Sequence, residues 1–309
     1  MVFLSDFFKN KFGCKVYKIA LDAHCTCPNR DGTKGTGGCI FCSQSGSGDF
    51  IENSVFLKKQ FEEGVCLVEK KAHGRSGKNK ALFLPYFQSF TSTYGNFEKL
   101  KELYLEALSF KNVCGLAIAT RPDCLSFQII ELLKQISQKF FVQIELGLQT
   151  SCEQTGKFIN RCYTNDDYKN AVSLLKKEIP GAHIVTHLIF GLPGEKKSDM
   201  LKSVDFVLDN FTEESFFGIK ITNLYVVKNT VLEKMFAEGK FECMEMEEYF
   251  EVLKLAFEKM PEKAVIHRFT GDPPKKIAIA PQWALNKKSV FYNKKILKKD
   301  YDDMIKEKS

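Results

Sequence analysis

The feature that most constrains this fold is a regular alternation of apolar segments with helical patterns. Six apolar runs predict buried strands at residues 14–20, 81–87, 113–120, 140–148, 182–190 and 216–227. Helical patterns lie between them, near residues 54–72, 97–110, 126–139, 151–159, 166–178 and 198–210. Strands and helices that alternate through short connections are typical of a parallel sheet covered by helices. The sequence therefore predicts an α/β fold with this sheet at its centre.

The two ends of the chain depart from this alternation. The opening segment, MVFLSDFFKNKFG, has no basic segment and no small-residue cleavage site, and we expect it to form a short helix that leads into the fold. After residue 227, helices near 230–238 and 245–259 precede a short strand, a proline turn and a Lys-rich helix from about residue 286. We therefore predict a core at 14–227 and an extension at 228–309 packed on it. No apolar run is long enough to predict a membrane-spanning helix.

The net charge of +7 is concentrated near the C-terminus. Residues 261–309 contain 12 Lys and Arg against 6 Asp and Glu, which gives +6. A second basic segment, KKAHGRSGKNK, covers residues 70–80. Such segments are either solvated faces or the footprint of a nucleic acid, and charge alone does not separate the two. The 44% hydrophobic and 13% aromatic content favours an ordered enzyme over a disordered binding protein.

A segment rich in cysteine and glycine, CTCPNRDGTKGTGGCIFCSQSGSGDF, follows the first predicted strand at residues 25–50. Its glycines and its proline exclude a helix or a strand, so we expect a loop. Cys27, Cys39 and Cys42 have the spacing C-x11-C-x2-C, with Cys25 just upstream. Thiolates at such spacing converge on one metal ion or one iron–sulfur cluster. The loop also lies at the carboxyl end of a strand, where parallel sheets place their chemistry.

The cysteines are compatible with two kinds of site. Their odd number and scattered positions favour a reducing cytosol over a disulfide framework. Four thiolates, Cys25 among them, could form a closed structural zinc site, but a chain with its own core does not need such a staple. A [4Fe–4S] cluster held by Cys27, Cys39 and Cys42 keeps one iron open, with Phe41 as an apolar wall beside it. Backbone geometry alone does not exclude Cys25 as a fourth ligand.

The segment CPNRDGTKGTGGCIFC resembles the cluster loop of the radical S-adenosylmethionine (SAM) superfamily. The usual superfamily spacing is C-x3-C-x2-C, and the wider spacing here is similar to that of the YhcC/YtqA-type family, which is related to the Elongator catalytic subunit. Further segments resemble this family in order along nearly the whole chain: YFQSFTSTYG, IATRPDCL, IELGLQT, HLIFGLPGE, LYVVKNT, RFTGDPP and IAPQWALNK.

The resemblance implies a partial (β/α)6 TIM-like barrel with a mainly helical C-terminal extension. It also implies a [4Fe–4S] cluster on Cys27, Cys39 and Cys42, with SAM bound at the open iron. An electron from a donor such as flavodoxin or ferredoxin would split SAM into methionine and a 5′-deoxyadenosyl radical, which removes hydrogen from an unactivated carbon. The implied protein is a cytoplasmic enzyme without membrane contact.

The resemblance further implies SAM contacts at the ends of two strands. Gln88, Ser89 and Thr91 follow the second predicted strand, where the superfamily usually places a Gly-Gly-Glu element against the SAM amine. Hydroxyl and amide groups would do that work here. Glu145 and Gln149 lie on the fourth predicted strand or just after it, and are expected at the ribose hydroxyls or the amino group.

Three more residues complete the implied SAM site, and each has an ordinary structural interpretation. Arg161 is expected to pair with the SAM carboxylate, which suits guanidinium geometry; its alternative is an ion pair on a helix surface. His187 and Gly191 resemble the element that packs on adenine; their alternatives are a core histidine and a strand-to-helix turn. Glu145 and Gln149 could equally be hydrogen-bonded polar groups inside the barrel.

The chain departs from its relatives at two places. It has Arg161-Cys162-Tyr163 where they tend to have Arg-Gly-His, and Thr222 where they tend to have His. Cys162, Tyr163 or Tyr225 could pass a hydrogen atom to a radical intermediate, although core or surface roles are the simpler interpretation.

The Elongator-like relatives modify the wobble uridine of tRNA, so the resemblance implies a tRNA substrate, which the basic segments would suit. The chain has no room for an acetyltransferase domain, so that reaction does not carry over. Two alternatives stay open. One is a radical SAM enzyme that acts on a small metabolite or a protein, and the other is a non-enzymatic zinc protein that binds RNA.

Overall fold

The structure, a computed structural model, describes residues 1–46, 48, 51, 54–72, 81–212 and 216–286, together with 288, 290, 291, 293, 295–297 and 299. Most of the predicted basic segment at 70–80 and much of the predicted Lys-rich helix lie outside the described residues.

Ten strands are described. They are β1 (Val2–Phe3), β2 (Val16–Leu21), β3 (Leu82–Phe87), β4 (Gly115–Thr120), β5 (Phe141–Gln149), β6 (His183–Phe190), β7 (Phe217–Asn223), β8 (Val226–Val227), β9 (Ala264–Arg268) and β10 (Ala278–Ala280). Eight of them form one sheet in the order β1-β9-β7-β6-β5-β4-β3-β2, and every pairing in it is parallel. Since β1 and β2 do not pair with each other, the sheet is an open, partial barrel.

Ten α-helices connect and cover these strands in the described part of the chain. They are α1 (Leu4–Phe12), α2 (Leu57–Ala72), α3 (Phe97–Ser109), α4 (Phe127–Ser137), α5 (Glu153–Phe158), α6 (Asn165–Glu178), α7 (Lys197–Leu208), α8 (Val231–Ala237), α9 (Met246–Glu258) and α10 (Gln282–Leu285). Several begin at an N-cap whose side chain accepts a backbone N–H of the first turn: Asn96, Ser126, Thr164 and Thr230. No helix among the described residues is long and apolar enough to cross a membrane.

The predicted α/β barrel is confirmed, with two differences in strand assignment. The six predicted strands are β2 to β7, but the sixth ends at Asn223, not at residue 227. The chain leaves the sheet there, and Val226–Val227 pairs antiparallel with β10. The short strand predicted in the extension is β9, which joins the main sheet between β7 and β1. The domain boundary at residue 227 stays a prediction, although β9 completes the same sheet as the core.

Side chains of the strands alternate between two environments, as a pleated sheet requires. On β5, Ile144 and Leu146 face the helices and belong to the main hydrophobic core, whereas Glu145 faces the inside of the barrel. Helix α1 fills the amino end of this interior, where Phe8 packs edge-on against Phe141 with ring centroids 6.1 Å apart. Space for a ligand therefore remains toward the carboxyl ends of the strands.

Candidate functional site

A cavity of about 870 Å³ occupies the barrel interior between α1 and the cysteine loop. This volume is typical of sites for small molecules and cofactors. Cys27, Cys39, Cys42 and Phe41 all line it. The structure therefore brings the three predicted cluster ligands and the predicted apolar wall to one cavity.

Two asparagines hold the first half of the cysteine loop. Buried Asn29 donates its Nδ2 hydrogens to the backbone oxygen of Asn160 and toward Cys39 Sγ at 3.6 Å. Asn160 in turn donates to the backbone oxygen of Gly38 at 2.7 Å. Gly35 passes so close that a Cβ there would lie 2.5 Å from Asn29 Oδ1. The glycines of the loop thus allow the backbone to wrap around a buried amide.

Arg30 holds the second half of the loop. Its Nη2 donates to the backbone oxygens of Cys42 at 3.2 Å and Ser43 at 2.5 Å. The guanidinium also lies over the ring of Phe90, 5.0 Å from its centroid. Arg30 lines the cavity as well, so it adds positive charge beside the thiols.

Arg121, just after β4, is a second cation beside the thiols, and the sequence prediction missed it. Its Nη1 points toward Cys27 Sγ at 3.9 Å, and its guanidinium lies 4.7 Å from the ring centroid of Tyr163. Asp123 accepts two hydrogen bonds from it, at 2.8 and 2.9 Å. Although burial opposes ionisation of Asp123, Arg121 and Lys34 hold the pKa of that carboxyl below its usual value. The fixed ion pair keeps Arg121 directed at the site.

Cys25 does not join the other three cysteines. It packs against the main hydrophobic core, and its Sγ lies 3.9 Å from the backbone oxygen of Ala23. Burial, with Asp22 nearby, raises the pKa of the Cys25 thiol to about 12. Cys25 is also not among the residues that line the cavity. The position of Cys25 therefore does not support a closed zinc site with four thiolates.

The donor set that remains fits an iron–sulfur cluster. Three thiols line one cavity. Arg30, which donates to the backbone oxygen of Cys42, can stabilise negative charge there. Burial, and then repulsion from Cys42 and Cys27, raises the pKa of Cys39 to about 12; a bound metal would displace that proton. The chemistry of these thiols, and not their spacing, is therefore what suits a cluster, because among the described residues no three Cys, His, Asp or Glu side chains are gathered as one metal ion would need.

The residues predicted after the second predicted strand follow β3. Gln88 and Thr91 line the cavity, and the Thr91 N–H donates to the backbone oxygen of Thr26 in the cysteine loop at 3.4 Å. Ser89 is fully buried, and its Oγ has no hydrogen-bond partner within the described part of the chain. A buried hydroxyl without a partner is unusual, and this one lies between Gln88 and Phe90, which both line the cavity.

A layer of polar residues crosses the middle of the barrel interior. We call Lys18, Tyr86, Glu145, His187 and Lys220 the interior layer; they come from β2, β3, β5, β6 and β7, and all line the cavity. The Glu145 carboxylate is its centre. It accepts hydrogen bonds from Tyr86 Oη at 2.6 Å, His187 Nε2 at 2.5 Å and Lys220 Nζ at 3.2 Å, and also from Lys18 Nζ.

Charges in the interior layer follow from burial and mutual contact. Burial opposes ionisation of Glu145, but Lys18 and Lys220 hold its pKa well below the usual value. Burial lowers the pKa of Lys220 to about 8, even though Glu145 attracts the ammonium. Burial, and then Lys220, lowers the pKa of His187 to about 4. Burial also lowers the pKa of Lys18, against the attraction of Glu145. At neutral pH the layer therefore holds a carboxylate and a neutral imidazole, with both lysines paired to the carboxylate.

Glu145 and His187 were predicted as SAM contacts, and the structure places both in the interior layer. They are hydrogen-bonded inside the barrel, as the structural interpretation of Glu145 expects, and both still line the cavity. Gln149 lies on the same face of β5 four residues further on, with a φ of 69°, and lines the cavity too. A contact of these residues with SAM stays a prediction.

Arg161 does not reach the cavity. It is fully buried, and all five N–H groups of its guanidinium have protein acceptors. The acceptors are the backbone oxygens of Leu148, Thr150 and Tyr163 and the side chains of Glu153 and Asn165. Neither predicted position, beside the SAM carboxylate or on a helix surface, matches this one. The structure instead gives Arg161 a role in fixing the segment after β5.

The remaining predicted positions separate into two groups. Gly191 has a φ of 84° and lies where a Cβ would come within 3.0 Å of Met244, so it forms the strand-to-helix turn and does not line the cavity. Tyr163, Thr222 and Tyr225 do line the cavity. Cys162 does not, and its Sγ donates to Asn160 Oδ1 at 3.2 Å.

Comparison with known proteins agrees with this architecture. The model of the radical SAM superfamily matches residues 31–207, and that of the radical SAM C-terminal domain matches residues 217–298. The Bacillus subtilis protein YtqA is 36% identical over 289 residues, which are 93% of this chain and 86% of YtqA. A tRNA uridine(34) acetyltransferase of Methanocaldococcus jannaschii is 30% identical over 168 residues, 53% of this chain but only 29% of that protein.

A solved structure shares the fold at lower identity. The archaeal Methanocaldococcus infernus Elp3 with an N-terminal deletion superposes with a TM-score of 0.59 at 20% identity, covering 86% of this chain and 59% of that one. This likeness supports the relation to the Elongator catalytic subunit at the level of the fold. The chain belongs to the radical SAM superfamily of enzymes, and within it to the family of YtqA and YhcC.

Proposed function

We propose that this enzyme holds a [4Fe–4S] cluster on Cys27, Cys39 and Cys42 and uses it to cleave SAM for the modification of a wobble-uridine side chain in tRNA. The observation that carries the cluster is that these three thiols line one cavity while Cys25 turns into the core. When bound, the cluster supplies one electron to SAM, and the resulting radical abstracts hydrogen from the substrate.

The chain's own residues would bind and shield these groups. Arg30 and Arg121 place positive charge beside the thiols, which favours a negatively charged cluster. Gln88, Thr91 and Gln149 line the cavity near the loop, where amide and hydroxyl groups can orient SAM. Helix α1 closes the amino end of the barrel and excludes water from that side.

The tRNA part of the proposal rests on a relative and on charge. The relative named tRNA uridine(34) acetyltransferase aligns with about half of this chain. The basic residues at 261–309 and 70–80 would suit a phosphate backbone. We further propose a flavodoxin or ferredoxin as the electron donor, and a cytoplasmic location, in keeping with eleven free cysteines.

Two experiments test the two parts separately. Anaerobic purification is expected to give a brown protein with about four irons per chain that cleaves SAM on reduction. A colourless protein with one zinc would overturn the cluster. Mass spectrometry of tRNA nucleosides from cells with and without the gene is expected to reveal one altered wobble uridine.

Binding measurements add a check on the tRNA part. If about five phosphates are neutralised, log K against log salt has a slope of roughly −4. Affinity for tRNA no greater than that of an unrelated basic protein, together with unchanged nucleosides, would replace tRNA by a small metabolite or a protein as substrate.

A further inference from the structure

The interior layer has more hydrogen-bond donors than its single carboxylate can use. Glu145 accepts from five side chains, namely Lys18, Tyr86, Gln143, His187 and Lys220. An ionised carboxylate offers about four lone-pair sites. Each ammonium carries three N–H groups, so the two lysines alone bring more donors than Glu145 can accept. Each lysine has one further partner among the described residues, His267 Nδ1 at 3.4 Å from Lys18 Nζ and Tyr86 Oη at 3.2 Å from Lys220 Nζ, and the third N–H group of each remains for a ligand.

The same layer has a surplus of positive charge. Two basic side chains, Lys18 and Lys220, form ion pairs with the one acidic side chain, Glu145, although burial lowers the pKa of both lysines, that of Lys220 to about 8. His187 is neutral at neutral pH, because burial lowers its pKa to about 4. His183 and His267, which also lie in this part of the barrel, are neutral for the same reason, since burial lowers both pKa values. The nearby Arg268 adds to the positive potential on both lysines.

A purely structural role accounts poorly for this arrangement. Buried ion pairs contribute little to stability compared with apolar residues of the same size. A second lysine on the same carboxylate adds another desolvation cost. The lysine side chains also remain 15–20% exposed, while the Glu145 side chain is 0% exposed. Because both lysines line the cavity, the exposed part of each side chain faces the cavity.

The two ammoniums share the same two partners, the Glu145 carboxylate and the Tyr86 ring. They contact the two different oxygens of Glu145, and they lie 4.7 and 5.5 Å from the centroid of the Tyr86 ring. The ring and the carboxylate thus hold both cations, and both lysines line the same cavity. Two cations fixed in this way make a preorganised site for one anion.

We propose that the interior layer binds an anionic group of the substrate, a carboxylate or a phosphate, between Lys18 and Lys220. The proposal rests on the proposed function in one respect: it assumes that the substrate binds in the cavity that the cysteine loop lines. Glu145 lies four residues before Gln149 on the same strand, so the anion would bind about 13 Å below the strand ends. A group that reaches this depth is the end of a substituent, not the body of a large substrate.

The test is calorimetric titration of the cluster-loaded protein with acetate, with inorganic phosphate and with neutral acetamide. One of the two anions is expected to bind at one site per chain, and acetamide is not expected to bind. Binding of acetate would indicate that the substrate group is a carboxylate, and binding of phosphate that it is a phosphate. In Lys220→Met and Lys18→Met, the affinity for that anion is expected to fall at least about tenfold. The matched control is Lys111→Met, an exposed lysine outside the cavity, which is expected to bind like the wild type.

Equal anion affinity in the wild type and in both methionine variants would overturn the proposal, as would binding of acetamide as tight as that of the anions. Lys220→Arg keeps the positive charge and is expected to retain anion binding. The unfolding temperature of each variant shows whether it is folded. The titration needs neither SAM cleavage nor tRNA. Loss of the tRNA assignment therefore leaves its result intact, and failure of anion binding leaves the cluster and the tRNA results intact.

Discussion

The cysteine loop and the interior layer line the same cavity, but the chain builds them in opposite ways. The loop takes its three cysteines from one contiguous segment, residues 27–42. The interior layer takes one side chain from each of five strands, over residues 18–220. A site built from one segment can be recognised from the spacing of its residues in the sequence. A site built across a sheet appears in the sequence only as single polar residues within apolar strands.

The two regions also differ in what holds them. Amide and guanidinium contacts to the backbone fix the loop, as those of Asn29 and Arg30 illustrate. Mutual attraction of buried charges fixes the interior layer around Glu145. We therefore expect a substitution in the loop to abolish activity without a large loss of stability. A substitution in the interior layer is expected to lower stability.

The largest expected effect is that of Cys42→Ala. The loop backbone is held by other residues, so the variant is expected to fold, but to lose iron and to cleave no SAM. Iron content and SAM cleavage under anaerobic reduction are the measurements. Cys25→Ala is the matched control and is expected to keep both, because Cys25 packs in the core. Equal loss of iron in the two variants would restore a site with four thiolates.

Glu145→Gln is expected to have the largest effect on stability. It leaves two buried ammoniums without their counter-charge, which costs roughly 3–5 kcal/mol in free energy of unfolding. Urea titration measures the change. The control is Glu131→Gln on α4, whose partly exposed pair with Lys134 is worth less than about 1 kcal/mol. A loss below 1 kcal/mol for Glu145→Gln would mean that charge does not hold the interior layer.

The contrast between the two regions also explains how much of the fold could be predicted. Apolar runs gave β2 to β7 and the helices between them, because burial on both faces of a parallel strand leaves a clear signal. Strand β1 was missed because only Val2 and Phe3 form it. The place of β9 in the main sheet was missed because pairing between residues 217–220 and 264–268 depends on the return path of the chain, which no local pattern encodes.

The candidate site was predicted where it is local. The cysteines, Phe41 and the residues after β3 were found from spacing and resemblance. Lys18 and Lys220 were missed, although each is a lone charge within an apolar strand, VYKIAL and FGIKITN, which is a usable signal for an inward-facing charge. Arg161 was placed beside SAM because residue type does not tell whether a guanidinium's donors are already used.

Arg161→Lys tests that last distinction. Lysine has fewer donors than the five that Arg161 uses, so several buried acceptors lose their partners, at a cost of about 2–3 kcal/mol in free energy of unfolding. The affinity of the folded, cluster-loaded variant for SAM is expected to stay unchanged in equilibrium dialysis. Weaker SAM binding at unchanged stability would show that Arg161 contacts the cofactor.

Arg121→Lys is the matched variant at the cavity. The pair with Asp123 keeps much of the local fold, but the Nη1 contact toward Cys27 is lost. We expect SAM cleavage to fall by about 10–100-fold, as for other residues that support a metal ligand. The cluster reduction potential is also expected to shift to a more negative value, because an N–H group directed at a ligand sulfur stabilises the reduced state and the variant loses that group.

The last expected effect is a pH dependence of stability that arises from the interior layer and leaves the fold in place. The pKa of Lys220 is lowered to about 8 in the fold, against 10.5 for an exposed lysine. Between these two pH values the unfolded chain binds more protons than the folded one, so Lys220 makes stability rise with pH in this window. The rise is at most about 3 kcal/mol, at 1.4 kcal/mol for each pH unit.

Urea titrations at pH 8 and pH 10.5 are expected to show a smaller rise for Lys220→Met than for the wild type, while Lys111→Met follows the wild type. Equal rises in all three proteins would mean that Lys220 stays protonated and well hydrated, and that the interior layer is open to water.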